Sequence, residues 1–127
     1  MRIMIVDDEI QVAEMLAESV CRQGHEAIVA SNGLEGLSVI NHRSFDAVFL
    51  DIVMPKLNGI ELLRRIRGRH PALPVIVITG NASADEVDEA RRLGVTDIIQ
   101  KPFGLRNFTH ALSTLAARGE GLHAQVQ

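Results

Sequence analysis

The chain has 127 residues, of which 46% are hydrophobic and 23% charged, a size and composition that fit one globular domain and argue against a multidomain enzyme. Its formal net charge of -3 argues against a general electrostatic attraction to nucleic acid or to an anionic membrane. The single cysteine, Cys21, cannot close an intrachain disulfide, and no apolar run approaches the roughly 20 residues that cross a bilayer. The N-terminus shows no cleavable signal pattern, so these features together favour a cytoplasmic protein.

Short apolar runs rich in Val and Ile alternate with longer segments of helical period along the chain. This alternation is typical of β-α units whose strands form a parallel sheet. The predicted strands are Ile3 to Val6, Ala27 to Ala30, Ala47 to Leu50, Val75 to Ile78 and Asp97 to Ile99.

The first two predicted helices each have apolar residues at three- and four-residue spacing, which indicates one buried face. Gly24 is well placed to end the first helix, and Cys21 would lie on its apolar side as a small core residue. The second helix would begin near Gly33. The residues predicted to be buried are Ile10, Ala13, Leu16, Ala17 and Val20 in the first helix and Leu34, Leu37 and Ile40 in the second.

The third and fourth predicted helices begin with a capping pattern. Asn58 precedes Glu61 by three positions and Ser83 precedes Glu86 likewise, so a cap side chain and a reaching acid would satisfy the first free amides. The fourth helix, Ala84 to Leu93, has few large apolar residues and should be loosely held. The residues predicted to be buried are Ile60, Leu63 and Ile66 in the third helix and Phe108, Leu112 and Leu115 in the fifth.

The fifth predicted helix runs from Arg106 to Ala117, and residues 118–127 lose periodicity, so they are expected to form a frayed C-terminal tail or the start of a linker. Residues 1–117 then form one domain of five strands and five helices in strict alternation. With right-handed crossovers, this order predicts an α/β fold in which an open, doubly wound parallel sheet has helices on both faces. A closed eightfold barrel needs a much longer chain.

Polar residues at the carboxyl ends of the strands are candidate site residues, because ligands bind beyond that edge of an open parallel sheet. Each segment alone is more often a helix start or loop punctuation, but four such strand ends together favour a functional site. The set is Asp7, Asp8 and Glu9 after the first strand, Asp51 after the third, Thr79 and Gly80 after the fourth, and Gln100, Lys101 and Pro102 after the fifth.

Three of these residues, Asp7, Asp8 and Asp51, predict a metal site. Brought close together, their carboxylates would repel by about 4 kcal/mol per close pair at an effective dielectric constant near 20, and a bound cation would remove that penalty. All the candidate ligands are hard oxygens, which favours Mg²⁺ or Mn²⁺ over zinc or copper.

A phosphate group is the anion that the remaining residues suit. Lys101 supplies a compact positive charge and Thr79 a hydroxyl donor. Asp51 lies alone at its strand end, whereas Asp8 and Glu9 are placed to cap the first helix, so Asp51 is the predicted nucleophile for an acyl phosphate.

At these strand ends the chain resembles the receiver domain of bacterial two-component response regulators, over residues 1 to about 117. The motifs are specific in combination. They are Ile-Val-Asp-Asp-Glu at 5–9, Leu-Asp-Ile-Val-Met-Pro at 50–55, Asn-Gly at 58–59, Ile-Thr-Gly at 78–80 and Lys-Pro-Phe at 101–103.

The resemblance implies a flavodoxin-like strand order 2-1-3-4-5 and a phosphorylation switch with no enzyme activity beyond its own phosphorylation and dephosphorylation. Asp51 would accept a phosphoryl group from the phosphohistidine of a sensor histidine kinase or a histidine phosphotransfer protein. Thr79 and Lys101 would bind the phosphoryl oxygens. The residues that would hold Mg²⁺ are Asp7, Asp8, Asp51 and the backbone carbonyl of Val53.

The resemblance also implies a cis peptide before Pro102 and a switch in which Thr79 moves towards the phosphate while an aromatic residue turns inward. Ile98 occupies the aromatic position here, so movement would depend on Thr79 alone. The face formed by helix 4, strand 5 and helix 5 would then change partners, meaning a downstream protein or a fused effector domain, or would dimerise. Direct contact of this domain with nucleic acid or membrane is not expected.

Two other functions compete with the switch. A small phosphatase with an aspartate nucleophile usually has a second acid two residues after that nucleophile, where this chain has Val53. A binding module that ignores phosphate would not need the complete set of acids with Thr79 and Lys101.

Overall fold

The computed structural model describes residues 1–54, 57–80, 82–101 and 104–126, with side chains described as far as residue 117. Pro55, Pro102 and Phe103 of the quoted motifs, and with them the expected cis peptide, lie outside the described residues. The strands are β1 (Arg2–Val6), β2 (Glu26–Ala30), β3 (Ala47–Asp51), β4 (Val75–Thr79) and β5 (Asp97–Gln100). The helices are α1 (Ile10–Arg22), α2 (Gly33–His42), α3 (Gly59–Arg69), α4 (Ala84–Arg92) and α5 (Leu105–Val126).

The five strands form one parallel sheet in the order β2-β1-β3-β4-β5, which confirms the predicted fold class and strand order. Alternate residues along a strand point to opposite faces, so Ile3 packs with the helices α1 and α5 while Met4 packs with α2, α3 and α4. Both faces are covered, and the three central strands β1, β3 and β4 therefore each have a run of four apolar residues. On the α1 and α5 side, the rings of Phe49 and Phe108 lie with centroids 4.6 Å apart and join β3 to α5.

The buried face of α2 differs from the prediction, because Leu34 is 54% exposed. Ile40 is buried and Leu37 is partly buried against the core, as predicted, but Gly33 and Gly36 take the other inward positions. A Cβ on Gly36 would lie 3.3 Å from Cγ2 of Val6, and one on Gly33 would lie 1.9 Å from the carbonyl oxygen of Leu57. Because α2 lies so close to the sheet and to the chain around residue 57, its glycines take the inward positions and Leu34 turns to solvent.

The first helix also departs from the prediction at both ends. Ile10 is 44% exposed, since it starts α1 beyond the edge of the sheet. Cys21, predicted as a small core residue, is exposed because Ser19 and Val20 take the buried positions of the last turn.

The predicted capping pattern is confirmed in full for α4, and for α3 the cap residue Asn58 is confirmed but the reaching acid is not. Asn58 accepts a hydrogen bond from the N–H of Glu61, at 3.0 Å, and Ser83 forms a complete capping box with Glu86. The carboxylate of Glu61 instead pairs with arginines of its own helix. These caps fix where α3 and α4 begin, and both starts lie at the carboxyl edge of the sheet.

The last helix is longer than predicted, because α5 continues to Val126 where fraying was expected after Ala117. Adding residues to an existing helix is easier than starting one, and no proline interrupts this segment. A domain boundary at residue 117 stays a prediction. Within the described ranges, no helix combines the length and apolar character that a membrane crossing needs.

Candidate functional site

Four strands deliver polar side chains to one edge of the sheet. Asp51 and Thr79 are the last residues of β3 and β4, and Asp7 directly follows β1. Lys101 follows β5, and its N–H donates to the carbonyl of Thr79 at 2.7 Å. The structure thus brings together residues that are distant in sequence, and three of them are almost completely buried, with exposures of 1% for Asp7, 4% for Asp51 and 3% for Thr79.

The carboxylate of Asp51 is held at both oxygens. Oδ1 accepts a hydrogen bond from the N–H of Val53 at 3.0 Å, and Oδ2 accepts one from Nζ of Lys101 at 3.0 Å. The start of α3 packs directly on this strand end, because a Cβ on Gly59 would lie 2.3 Å from Cα of Ile52 and 2.4 Å from the carbonyl oxygen of Asp51. Because residue 59 has no side chain, the start of α3 can pack this closely on the end of β3 and hold Asp51 in place.

Lys101 is the cation at the centre of the site. Its Nζ lies 3.0 Å from Oδ2 of Asp7, 3.0 Å from Oδ2 of Asp51 and 2.7 Å from Oε1 of Glu9. Burial acts to lower the pKa of Lys101, but its hydrogen bonds with Glu9 and Asp51 and its ion pair with Asp7 outweigh burial and hold that pKa above its ordinary value. Lys101 is therefore charged at neutral pH.

The carboxylate of Asp7 is the least satisfied group of the site. Burial raises the pKa of Asp7, because it disfavours the charged form more than the N–H of Glu9 and the cation of Lys101 stabilise it. Oδ1 accepts from the N–H of Glu9 at 2.9 Å. Oδ2 is buried at an ion-pair distance from Lys101, but no described residue donates an aligned hydrogen bond to it.

These carboxylates fit a divalent cation. One oxygen from each of Asp7, Asp8 and Asp51 lies within 4.8 Å of the others. Asp7 and Asp51 are buried, whereas Asp8 is exposed at the solvent side of the site, which is its mouth. The ligands are hard oxygens. The buried Oδ2 of Asp7 accepts no hydrogen bond, and a bound cation would supply the missing partner. The donor set therefore suits Mg²⁺ or Mn²⁺.

The expectation that Asp8 and Glu9 cap the first helix with their side chains is wrong. Glu9 is the N-cap residue of α1 but makes no side-chain cap hydrogen bond, and its carboxylate binds Lys101 instead. A charged ammonium is a stronger partner for a carboxylate than a neutral backbone N–H. Glu9 thus belongs to the predicted set of strand-end residues, but its role is to bind Lys101 and not to cap the helix, and Glu is a less favoured N-cap type than Ser, Thr, Asp or Asn.

The two predicted switch residues occupy different environments. Oγ1 of Thr79 accepts a hydrogen bond from the N–H of Ala82 at 3.1 Å, next to the N-cap Ser83 of α4. The side chain of Ile98 is partly buried and packs on the core beneath α3 and α4. The hydroxyl of Thr79 is therefore linked to the start of α4 by the backbone.

Comparison with known protein families shows to which family the chain belongs. The family model for the response regulator receiver domain matches residues 3–113. The chain belongs to this family. The resemblance inferred from the strand-end motifs is therefore confirmed, and the receiver domain is the unit that the fold and the site describe.

Individual relatives agree with this assignment. The response regulator MprA of Mycobacterium tuberculosis is 35% identical over 117 residues, which are 92% of this receiver domain and 51% of that protein. The CheY-like receiver domain protein of Methanospirillum hungatei has a TM-score of 0.88 at 27% identity, covering 94% of this chain and 97% of that one. NtrX from Brucella abortus has a TM-score of 0.85 at 32% identity, covering 98% of this chain and 28% of that one. The receiver domain spans about half the length of the curated relatives it matches.

Replacing Lys101 by methionine is expected to lower the free energy of unfolding by about 2 kcal/mol without Mg²⁺, because the buried carboxylates of Asp7 and Asp51 lose their cation. Adding Mg²⁺ should stabilise the Lys101→Met variant more than the wild type, since a cation bound to the folded state restores the lost charge. Urea unfolding with and without Mg²⁺ measures both effects.

Arg22→Met is the matched control, because it also exchanges a cation for methionine in an ion pair. Arg22 pairs with Glu18 on α1 with its side chain 71% exposed, so the change should cost less than about 0.5 kcal/mol. Equal stability of Lys101→Met and wild type without Mg²⁺ would contradict the central role of Lys101.

Proposed function

We propose that this receiver domain is a Mg²⁺-dependent phosphoacceptor in which Asp51 takes a phosphoryl group from the phosphohistidine of a sensor histidine kinase or a histidine phosphotransfer protein. The observation that carries the proposal is the placement of the Asp51 carboxylate. It lies 3.0 Å from the ammonium of Lys101 and beside the carboxylates of Asp7 and Asp8. This arrangement pairs a nucleophile with groups that neutralise phosphoryl charge.

The transfer is a displacement at phosphorus. An oxygen of Asp51 forms the new P–O bond while the P–N bond of the phosphohistidine breaks, and its electron pair leaves with the imidazole. Lys101 and the hydroxyl of Thr79 bind the phosphoryl oxygens. Asp7, Asp8, Asp51 and the backbone carbonyl of Val53 would hold Mg²⁺, which when bound supplies positive charge against those oxygens.

The site supports one transfer per protein molecule rather than repeated turnover of a small substrate. A phosphatase with an aspartate nucleophile uses a second acid two positions further on, and here that side chain is Val53, 41% exposed at the mouth. Hydrolysis of the acyl phosphate then resets the domain. We place this chemistry in the cytoplasm, where a kinase would meet it.

The output surface of the proposed switch is the face formed by α4, β5 and α5. An open groove crosses this face, with Val87 and Arg91 on α4, Ile98 on β5, and Asn107 and Ala111 on α5. Phosphorylation adds a charge of about -1.5 to -2 at Asp51 and would attract the hydroxyl of Thr79. That hydroxyl accepts a hydrogen bond from the N–H of Ala82, the residue before the N-cap of α4. The groove would then bind a downstream protein, a fused effector domain or a second copy of the chain.

Intact mass spectrometry after incubation with a small acyl phosphate, with and without Mg²⁺, tests the proposal. A single phosphoryl adduct that requires Mg²⁺ and is lost in hydroxylamine, as an acyl phosphate would be, is the expected result. An adduct stable to hydroxylamine, or one formed equally without Mg²⁺, would overturn the proposal.

A further inference from the structure

Three carboxylates surround the ammonium of Lys101. Nζ donates hydrogen bonds to Glu9 and Asp51, and it lies 3.0 Å from Oδ2 of Asp7 without an aligned hydrogen bond to that atom. An oxygen of an incoming phosphoryl group would therefore compete with these carboxylates for the N–H donors of Lys101.

Glu9 differs from the other two carboxylates in position. The side chains of Asp7 and Asp51 are 1% and 6% exposed, whereas that of Glu9 is 59% exposed. Its contact with Nζ is also the shortest, at 2.7 Å against 3.0 Å for the other two. Glu9 thus binds Lys101 from the solvent side, across the mouth through which a phosphoryl group must enter.

The backbone around Glu9 holds its side chain in this place. Its N–H donates to Oδ1 of Asp7 at 2.9 Å, and its carboxylate makes no cap hydrogen bond to α1. The first turn of α1 has no other acidic residue. The carboxylate of Glu9 is therefore committed to Lys101 and not to the helix.

We infer that Glu9 is a positioning residue that acts through Lys101: its carboxylate holds the ammonium at the mouth and competes with phosphoryl oxygens for it, which weakens the hold of the site on a phosphoryl group. The inference rests on the proposed function and deepens it. The inference also predicts that Glu9 strengthens the binding of Mg²⁺. The hydrogen bond to Glu9 occupies an N–H donor of Lys101 that Oδ2 of Asp7 lacks, so this buried oxygen stays available to Mg²⁺.

Glu9→Gln tests the inference by two equilibrium measurements on the whole chain. The amide keeps the size of the side chain but removes its charge. Binding of beryllofluoride, an analogue of the phosphoryl group, at saturating Mg²⁺ and followed by ¹⁹F NMR, should tighten about fivefold. Binding of Mg²⁺ alone, followed by calorimetry, should weaken about threefold. A general loss of structure would weaken both.

Two further variants separate direct contact from long-range charge. Glu9→Asp keeps the charge but is one methylene shorter and suits the N-cap, so it should change both affinities in the same directions as Glu9→Gln. Glu14→Gln makes the same charge change at an exposed position of α1 and should leave both affinities at their wild-type values. If Glu9→Asp matches wild type, direct competition for Lys101 is refuted.

The outcomes also distinguish this inference from the proposed function. If wild type forms the Asp51 adduct but Glu9→Gln binds beryllofluoride no more tightly than wild type, the role of Glu9 is wrong and the phosphoacceptor function stands. If Glu9→Gln weakens beryllofluoride binding, Glu9 assists the phosphoryl group and the inference is likewise overturned. If wild type neither forms the adduct nor binds beryllofluoride, the proposed function fails and the inference fails with it.

Discussion

Replacing Asp51 by asparagine is expected to abolish the phosphoryl adduct, with a fall in its rate of formation of at least about 1000-fold. A carboxamide is a poor nucleophile, and it removes one negative charge from the candidate metal ligands. The fold should survive, because the amide oxygen can still accept the hydrogen bond that Val53 donates at 3.0 Å. Intact mass after incubation with an acyl phosphate and Mg²⁺ measures the effect.

Asp88→Asn is the control for this experiment, since it makes the same change at an exposed position on α4. It should be phosphorylated at the wild-type rate. Labelling of Asp51→Asn to the wild-type extent at another residue would show that the nucleophile has been assigned wrongly.

Replacing Gly59 by alanine is expected to lower the free energy of unfolding by about 3 kcal/mol. The added Cβ would lie 2.3 Å from Cα of Ile52 and 2.4 Å from the carbonyl oxygen of Asp51, and both neighbours are backbone atoms of a buried segment. The start of α3 must then move away from the end of β3, so Mg²⁺ affinity should fall as well. Urea unfolding and calorimetry measure the two effects.

Replacing Gly68 by alanine in the same helix is expected to raise the free energy of unfolding instead. Gly68 is exposed, and a Cβ there would meet no atom within 4 Å. Alanine should therefore stabilise the domain by about 0.5 to 1 kcal/mol through its higher helix propensity. If the two glycine variants change the free energy of unfolding alike, close packing is not the reason why residue 59 is a glycine.

The fold could be predicted from the sequence where a periodic signal is long and tertiary contacts agree with it. The strands Val75–Thr79 and Ala47–Asp51 are apolar up to their last residue because both of their faces are buried, and the caps at Asn58 and Ser83 lie where the pattern placed them. Leu34 shows the limit. A helical period cannot tell that Gly36 lies against Val6, so the sequence did not show that Leu34 is exposed although Leu37 and Ile40 pack on the core as predicted.

The candidate site was predictable in its members but not in their contacts. Asp7, Asp51, Thr79 and Lys101 meet because parallel strands share one carboxyl edge, a property of topology that an ordered list of strands contains. The contact of Glu9 with Lys101 could not be predicted from the sequence, because the two residues lie 92 positions apart in the chain. Only the length and direction of the two side chains decide that they meet.

A loosely anchored helix lies beside the candidate site. Among the residues of α4, Ala84–Arg92, Ala90 is the one that is fully buried, and this helix is connected to the site through the hydrogen bond from Ala82 to Thr79. A change at Thr79 would remove an acceptor from a segment that has little buried surface to resist local unfolding. If Asp51 is the phosphoacceptor that we propose, a signal of modest free energy would then suffice to rearrange α4 and leave the rest of the sheet intact.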